Sequence, residues 1–335
     1  MRGSIAIILV FIGCMSNVIT LENLVKEDPG CGNLITFSQF IFTALEGFIF
    51  TSKFGTAECH ISKRSYFALT VTFFFVNVLN NYAFDFNVPV PLHIIFRSGS
   101  LLANMTLGVY ILKKSYPISK YLSVLLITLG ITVCTIVSGK DVKSTNTRAP
   151  PTTSYEDFFW WTIGILILTV ALFLSAALGI YQEFLFKKFG KHPKEALFYT
   201  HLLPLPLFMF VYKNIYEHAL IALESEPISV LNVIQVPKLI VHLIGNVLSQ
   251  FVCISSVYVL TTECSSLIVT LVLTLRKFSS LLFSVIYFRN PFTFYHWLGT
   301  LLVLIGTVIF TELHEKIYSL VFSQIGRKKV EKKSE

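Results

Sequence analysis

Long apolar runs separated by short polar segments dominate this chain. Ten runs can be marked, at about 4–24, 34–52, 66–86, 92–112, 119–138, 159–182, 196–213, 238–260, 265–288 and 295–313. A helix needs about 20 mostly apolar residues to cross the roughly 30 Å hydrocarbon core of a bilayer, and it satisfies its own backbone hydrogen bonds there. The pattern therefore predicts an all-α polytopic membrane protein with ten transmembrane helices.

The composition excludes a water-soluble protein. Hydrophobic residues are 54% of the chain, charged residues are 14% and the mean hydropathy is +0.69, whereas soluble domains are about one quarter charged. The first run, behind Arg2, has the alternative interpretation of a cleaved signal peptide. It is long, carries Asn17 and Glu22 and leads directly into another run, so we interpret it as the first helix.

The distribution of Lys and Arg predicts the orientation. With a cytosolic amino terminus, 17 of the 27 Lys and Arg residues lie on cytosolic segments, 7 lie on the opposite side and 3 lie inside helices. Cytosolic loops of membrane proteins carry an excess of positive charge, so both termini are expected in the cytosol. The same distribution accounts for the net charge of +8 without a nucleic acid partner.

A long polar segment divides the chain into two halves. It predicts a first five-helix repeat at 1–138, a luminal linker at 139–158, a second five-helix repeat at 159–315 and a basic cytosolic tail at 316–335. The fourth and fifth helices resemble the ninth and tenth, with Arg97 and Gly130 in one half matching Arg276 and Gly306 in the other. Because five is an odd number of crossings, the second copy would have the opposite orientation in the membrane. Such inverted repeats are typical of transporters, which bind their substrate near the midplane. The alternative is a chance likeness between helices with polar ends.

Three cations lie inside predicted helices, at Arg97, Arg276 and Lys277. A cation near the bilayer centre costs about 2.5–3.5 kcal/mol on insertion scales, so it normally faces a cavity or a partner. One explanation pairs these cations with Glu22 and Glu46 in the first two helices; the other has them bind an anionic solute. We favour the solute, because two carboxylates leave one cation over. Glu22 or Glu46 would then hold a cation only in the empty state.

Polar and aromatic residues extend the predicted site. Asn80, Asn81 and Tyr82 end the third run, Tyr199 and His201 open the seventh, and Thr270 and Thr274 share a helix face leading to the cations of the ninth. Amides read a base edge, aromatic rings stack on it and cations meet phosphate, so the combination predicts a nucleotide-like anion. Each residue alone has a structural interpretation, since Asn bonds neighbouring helices and Tyr anchors helix ends at the interface.

No metal or cofactor is expected. The six cysteines, at positions 14, 31, 59, 134, 253 and 264, form no C-x-x-C pair and have no His at ligand spacing. The spacing therefore indicates neither a metal site nor a disulfide framework.

Four stretches resemble the nucleotide-sugar transporters of the drug/metabolite transporter superfamily. They are Pro29–Asn33, Pro91–Met105, Phe189–Tyr199 and Leu260–Phe278, and the similarity extends over about residues 1–313. The resemblance implies ten helices in a five-plus-five inverted repeat. It also implies that UDP-N-acetylglucosamine and UDP-xylose are moved from the cytosol into the lumen in exchange for UMP, without ATP or a cofactor.

The resemblance implies roles for individual residues. Family members keep a basic residue in the fourth helix, matched here by Arg97. The GDP-mannose branch has Phe-Tyr-Asn-Asn in helix 7 and Gly-Ala-Leu-Asn-Lys in helix 9, where this chain has Phe198-Tyr199-Thr200-His201 and Leu273-Thr274-Leu275-Arg276-Lys277. The departure at 200–201 argues against guanine and for uridine. Arg276 beside Lys277 fits a diphosphate, and Tyr199 and the 80–82 segment are expected at the base or ribose.

The last four residues are Lys332-Lys333-Ser334-Glu335. On a cytosolic tail this resembles the dilysine signal that retrograde coat machinery reads, and the alternative is a generic basic tail. We therefore expect a protein of the endoplasmic reticulum and Golgi membranes. The oligomeric state does not follow from the sequence, which leaves a homodimer open.

Three other functions remain as alternatives. The first is export of another small organic anion or phosphate ester. The second is a non-transporting membrane enzyme, which would need an exposed His-Asp or carboxylate cluster; none is visible in the sequence. The third is a receptor-like bundle, for which cations in both halves have no evident use.

Overall fold

Apolar helices make up nearly all of the described part of the chain. The computed structural model describes residues 2–86, 88–111, 113–140, 154–190, 192–230, 234–263 and 266–312. The helices of the first half are α1 (Arg2–Glu27), α2 (Gly32–Glu46), α3 (Lys63–Asp85), α4 (Val90–Arg97), α5 (Ser100–Tyr110) and α6 (Ile118–Lys140). Those of the second half are α7 (Ser154–Phe189), α8 (Pro193–Leu202), α9 (Tyr212–Leu223), α10 (Lys238–Glu263), α11 (Ser266–Tyr287) and α12 (Phe294–Phe310).

Seven helical segments of the described residues are long and apolar enough to cross a membrane. They are Gly3–Glu27, Pro29–Thr51, Arg64–Asp85, Ile118–Gly139, Tyr155–Phe189, Lys194–Leu223 and Lys238–Val257. A shorter apolar helix covers Phe294–Phe310. The prediction of an all-α polytopic membrane protein is confirmed at this level.

Two of the predicted runs are broken helices. The run 92–112 is interrupted between α4 and α5 at Ser98-Gly99. The run 196–213 is interrupted after α8 by Pro204 and a 3₁₀ turn at Leu205–Val211, because proline lacks the backbone N–H that an α-helix needs. The chain then continues as α9 to Leu223, so the predicted end at 213 was wrong.

A small hairpin follows α9. Strand β1 (Pro227–Val230) pairs antiparallel with β2 (Ile234–Pro237), and Ile228 faces Val236 in the register. The prediction had only a polar connection here, because strands of four residues give too short a pattern to detect.

Three helix pairs form the most extensive contacts: α1 with α10, α3 with α7, and α6 with α12. In the first pair, the buried Asn246 side chain donates to the Asn17 carbonyl oxygen at 3.2 Å and to Thr20 Oγ1 at 3.1 Å. Its own Oδ1 accepts from Gln39 at 2.7 Å. Amide groups therefore join α1, α2 and α10 across the apolar interior, as they commonly do between membrane helices.

The contact between α6 and α12 depends on glycine. A Cβ on Gly130 would lie 2.4 Å from the Gly299 carbonyl oxygen, and one on Gly306 would lie 2.7 Å from the Ser123 carbonyl oxygen. The backbones thus approach closely at two levels, as small residues allow in membrane helix pairs. The two contacts also have the same internal spacing, since Ser123 precedes Gly130 by as many positions as Gly299 precedes Gly306.

A disulfide bond joins Cys14 of α1 to Cys253 of α10. The sequence had indicated no disulfide, and that expectation was wrong for this pair. The two cysteines are 239 residues apart and meet only because α1 and α10 pack side by side. Of the other cysteines, Cys31 and Cys134 are buried and free.

Two predicted segments lie mostly or wholly outside the described residues. α6 extends to Lys140 and α7 begins at Ser154, so most of the proposed linker 139–158 falls between them. The proposed tail 316–335, with Lys332 and Lys333, also lies outside. The boundaries of the two repeats therefore stay predictions.

Replacing Gly130 with alanine is expected to lower the free energy of unfolding by about 1–3 kcal/mol, because its Cβ would overlap the backbone of α12. The measurement is thermal unfolding of the purified protein in detergent. Gly179→Ala in α7 is the matched control, since nothing lies within 4 Å of the Cβ it would gain. Equal stability of the two variants would show that α6 and α12 do not pack as described.

Candidate functional site

A cavity of about 350 Å³ lies between helices of both halves. This is within the range of about 300–1,000 Å³ that small-molecule sites occupy. The residues that line it are Gln39, Phe40, Leu69, Phe73, Asn77, Arg97, Leu178, Gln182, Ala196, Leu197, Thr200, His201, Gln250 and Ile254. They come from α2, α3, α4, α7, α8 and α10, so both halves of the chain contribute to the cavity lining.

One wall of the cavity is aromatic and carries His201. The imidazole lies 4.6 Å from the Phe40 ring and 5.5 Å from the Phe73 ring, measured between centroids. Its Nδ1 is 2.8 Å from the Leu197 carbonyl oxygen. A carbonyl can only accept, so Nδ1 carries the proton and Nε2 is left as an acceptor. The wall is thus a packed aromatic cluster, with Phe40 and His201 buried and Phe73 partly exposed, and it includes one imidazole held in place by a hydrogen bond.

Arg97 lines the same cavity from the end of α4. α4 ends at Arg97, and residues 98–99 form a turn before α5 begins. Gly99 in this turn packs tightly against Ile131 of α6 and Leu172 of α7. The break therefore places the arginine at a helix end in the interior of the bundle. Its side chain is exposed to the space between the helices.

Arg276 and Lys277 lie halfway along α11, near Arg97. Arg276 Nη1 donates to Cys14 Sγ at 3.1 Å and to Cys253 Sγ at 3.4 Å, so the guanidinium rests on the disulfide. Cys253 precedes Ile254, which lines the cavity. Lys277 is exposed, and the three positive charges are close enough to repel one another.

Carboxylates do not neutralise these three cations. Within the described residues, no Asp or Glu oxygen lies within 4.0 Å of Arg97, Arg276 or Lys277. Glu22, which the sequence offered as a partner, is fully buried and accepts from Ser284 Oγ and Asn290 Nδ2, each at 2.5 Å. Its nearest cation is Lys26, at 3.5 Å. The structure therefore does not pair Glu22 with Arg97, Arg276 or Lys277.

The other predicted site residues have different surroundings. Asn81 donates to Asn33 Oδ1 at 3.2 Å and to Thr36 Oγ1 at 2.8 Å, and Asn80 donates to the Val76 carbonyl oxygen of its own helix. The Asn81 contacts join α3 to α2, whereas the Asn80 contact lies within α3. Tyr82 packs at the edge of a cluster formed by Phe40, Phe74 and Phe208.

Tyr199 and Thr274 also lie away from the cavity lining. The Tyr199 ring stacks on Tyr66 at 4.9 Å and lines a second cavity, of about 300 Å³, at the end of the bundle where α8 begins. Thr274 is half-buried on α11, in the turn before Lys277. Of the ten predicted site residues, only Arg97 and His201 line the central cavity itself.

Four amide residues line the central cavity and were not predicted: Gln39, Asn77, Gln182 and Gln250. Each is a polar side chain within an apolar helix, and this was the available signal, because such residues usually face a partner or a cavity. Phe40 and Phe73 could not have been selected, since the chain contains 31 Phe residues without a distinguishing pattern.

This polytopic helical bundle has an arginine that lines a cavity and two further cations nearby, and within the described residues none of the three has a carboxylate partner. These are features of a membrane transporter for an anion. Comparison with known proteins agrees: the chain belongs to the UAA transporter family, whose model matches residues 2–314. It is accordingly a transporter and not an enzyme, and the resemblance to nucleotide-sugar transporters seen in the sequence is confirmed.

Three curated relatives illustrate the similarity. The chain is 54% identical to "Endoplasmic reticulum GDP-fucose transporter" of Drosophila melanogaster, over 98% of this chain and 95% of the relative. It is 50% identical to "UDP-xylose and UDP-N-acetylglucosamine transporter" of Danio rerio, over 100% of each chain. It is 52% identical to "Nucleotide sugar transporter SLC35B4" of Homo sapiens, over 93% of this chain and 95% of the relative.

Proposed function

We propose that this protein is a nucleotide-sugar antiporter that moves UDP-N-acetylglucosamine and UDP-xylose from the cytosol into the lumen in exchange for UMP. The observation that carries the proposal is the group of three interior cations, Arg97, Arg276 and Lys277, without a carboxylate partner among the described residues. The relative from Danio rerio, which is similar over the whole chain, supports the choice of sugars.

The cations are suited to the phosphates of such a substrate. Three like charges in a low-dielectric interior repel one another and are poorly solvated, so a diphosphate that bridges them would remove both penalties. UMP carries phosphate as well and can use the same contacts on the return step. A shared site of this kind favours exchange over one-way transport.

The aromatic wall is suited to the base. Phe73 is only partly buried and offers ring surface, backed by the buried Phe40, and bases stack on aromatic rings with about 1–3 kcal/mol each. The acceptor at His201 Nε2 can take the single ring N–H of uracil. The amides of Asn77, Gln182 and Gln250 provide further donors and acceptors for base, ribose or sugar.

Ten spans in an inverted repeat are the architecture we propose. The spans are then α1, α2, α3, α4–α5 and α6 in the first half, and α7, α8–α9, α10, α11 and α12 in the second. The symmetry of such a repeat matches each span of one half with the equivalent span of the other, so α1 corresponds to α7, α3 to α10 and α6 to α12. The α1–α10 pair is then equivalent to the α7–α3 pair, and the α6–α12 pair is equivalent to itself. Those are the three most extensive helix contacts. The matched approaches at Gly130 and Gly306 support the same symmetry.

This architecture supports alternating access by rocking of the two halves around the central cavity. With both termini in the cytosol, the end of the bundle where α2 ends and α8 begins is cytosolic, and the end where α1 meets α2 is luminal. The cavity then lies between the two ends, as a carrier that opens to one side at a time requires.

GDP-fucose transport is the second candidate. The relative from Drosophila melanogaster that carries this name is 54% identical to the chain. The phosphate contacts proposed above would serve GDP-fucose equally well, so the base decides between the two candidates.

Counterflow into proteoliposomes preloaded with UMP or GMP tests both candidates. Labelled UDP-N-acetylglucosamine, UDP-xylose, GDP-fucose and GDP-mannose are offered outside in parallel. We expect uptake of the two UDP-sugars that depends on internal UMP. Uptake of GDP-fucose alone, driven by GMP, would replace the first candidate with the second. No uptake of any of the four by folded protein would contradict nucleotide-sugar transport and favour a smaller anion.

Neutralising the interior cations is expected to abolish exchange while the protein still folds. Arg97→Gln and Lys277→Gln should each reduce UDP-sugar uptake at least tenfold, since an ionic hydrogen bond to phosphate is worth about 1.5–3 kcal/mol. Lys213→Gln is the matched control, because Lys213 is 81% exposed on α9 and pairs only loosely with Glu217, at 3.9 Å. Its uptake should equal that of the unaltered protein.

The same series separates a binding role from a structural one. Arg97→Lys keeps the charge, so it should retain more uptake than Arg97→Gln if the residue meets phosphate. Loss of the monodisperse peak in gel filtration for Arg97→Gln would instead assign Arg97 to the packing of the bundle.

We further propose that Lys332 and Lys333 return the protein to the endoplasmic reticulum from the Golgi. The support is that the two lysines occupy the third and fourth positions counted back from Glu335. Adding two alanines after Glu335 should shift the tagged protein toward the Golgi in fluorescence microscopy. An unchanged distribution would leave the tail a generic basic segment.

A further inference from the structure

The second cavity lies at the end of the bundle where α2 ends and α8 begins. It has a volume of about 300 Å³, and His60, His192, Lys194, Glu195 and Tyr199 are among the residues that line it. His60 belongs to the connection between α2 and α3, whereas His192 directly precedes α8 and Glu195 lies in its first turn. None of these groups lines the central cavity, although the sequence had predicted Tyr199 as a substrate-binding residue.

His60, His192 and Glu195 present three metal-binding atoms to one point. One ring nitrogen of each His and one Glu oxygen all lie within 4.8 Å of one another. The imidazoles are stacked, with centroids 4.1 Å apart and planes 14° from parallel. His60 Nδ1 is 2.9 Å from Glu195 Oε2. Ligands of a tetrahedral zinc ion are about 3.3 Å apart, given bonds of about 2.0–2.1 Å, so small side-chain rotations close the remaining distance.

The carboxylate is held in place for this geometry. Glu195 Oε1 accepts from the Ile61 backbone N–H and from Tyr66 Oη, each at 3.0 Å, and Oε2 accepts from the His60 backbone N–H at 3.1 Å. Outer hydrogen bonds of this kind orient the ligands of metal sites. The Glu195 side chain is 12% exposed and that of His60 is 51% exposed, so the partly buried carboxylate is reached from water past the exposed imidazole.

We propose that His60, His192 and Glu195 form a binding site for a divalent transition metal ion, with Zn²⁺ as the ion they suit best. Two imidazoles and one carboxylate are a common ligand set for zinc, and water would take the fourth position. Ca²⁺ and Mg²⁺ prefer an all-oxygen set, so they are expected to bind poorly.

The site joins the two halves of the chain. His60 comes from the first half, and His192 and Glu195 come from the second. If the halves rock against each other as proposed above, a bound ion would tie two cytosolic connections together and hold that end closed. Zn²⁺ would then inhibit exchange. This inhibition rests on the proposed function, whereas the binding of Zn²⁺ does not.

Calorimetric titration of the full-length protein in detergent with ZnCl₂ tests the binding. We expect one ion per chain, with an affinity that falls roughly tenfold or more in His60→Ala and in His192→Ala. His242→Ala is the matched control, since His242 lies on α10 and is outside the cluster. Glu195 is left unaltered, because its hydrogen bonds also stabilise the connection before α3.

Two outcomes of the titration would overturn the proposal. One is binding that both His variants retain at full affinity. The other is binding that is lost in Cys59→Ser but kept in the His variants, which would assign Zn²⁺ to the neighbouring exposed thiol. Monodisperse gel filtration of each variant excludes unfolding as the cause of lost binding.

A second measurement adds ZnCl₂ to the proteoliposome exchange assay. Inhibition in the unaltered protein that disappears in His192→Ala would support the tie between the halves. Zn²⁺ binding with undiminished exchange would overturn that tie. Absence of UDP-sugar exchange without Zn²⁺ would contradict the proposed function, while the titration would still decide the metal site.

Discussion

Positive charge inside an apolar helical bundle, with no carboxylate partner in the part of the chain that the structure describes, is the constraint on which the rest of this molecule depends. Arg97, Arg276 and Lys277 would each be costly in lipid, so the bundle must surround them with protein and cavity. The break between α4 and α5 places Arg97 at a helix end, and the disulfide between α1 and α10 provides a polarisable surface for Arg276. The acidic residue available nearby on α1, Glu22, is bound to Ser284 and Asn290. Glu22 is thereby engaged away from the three cations.

The helices around this centre are held by contacts that suit a membrane interior. Apolar side chains gain little from association in lipid, so close backbone approach and interhelical hydrogen bonds have to supply the packing. Close backbone approach occurs between α6 and α12, at Gly130, Gly299 and Gly306. Interhelical hydrogen bonds of Asn246 and Gln39 join α1, α2 and α10. Gln39 also lines the central cavity, so it links the interhelical hydrogen bonds to the polar groups that face the cavity.

The sequence predicted the helical class and the positions of the three cations within helices, because hydropathy and a charge inside an apolar run are properties of short segments. It predicted the partners of polar side chains poorly, since these depend on which helices become neighbours. Asn81 bonds Asn33 and Thr36, which are distant in sequence. The Cys14–Cys253 disulfide likewise joins two residues that meet only because their helices pack side by side. The group of His60, His192 and Glu195 was missed because spacing rules detect ligands only when they are close along the chain.

Arg97, Arg276 and Lys277 cannot by themselves choose the nucleotide. UDP-sugars and GDP-sugars present the same diphosphate, so any discrimination between them has to come from the wall that meets the base. In the proposed site that wall would be the one that contains Phe40, Phe73, Thr200 and His201 together with cavity amides. A change of a few such residues would alter the preferred base and leave the phosphate contacts intact. Relatives that are each at least 50% identical to this chain can thus carry names with different bases. Specificity should therefore be sought in the α8 wall and not at the charges.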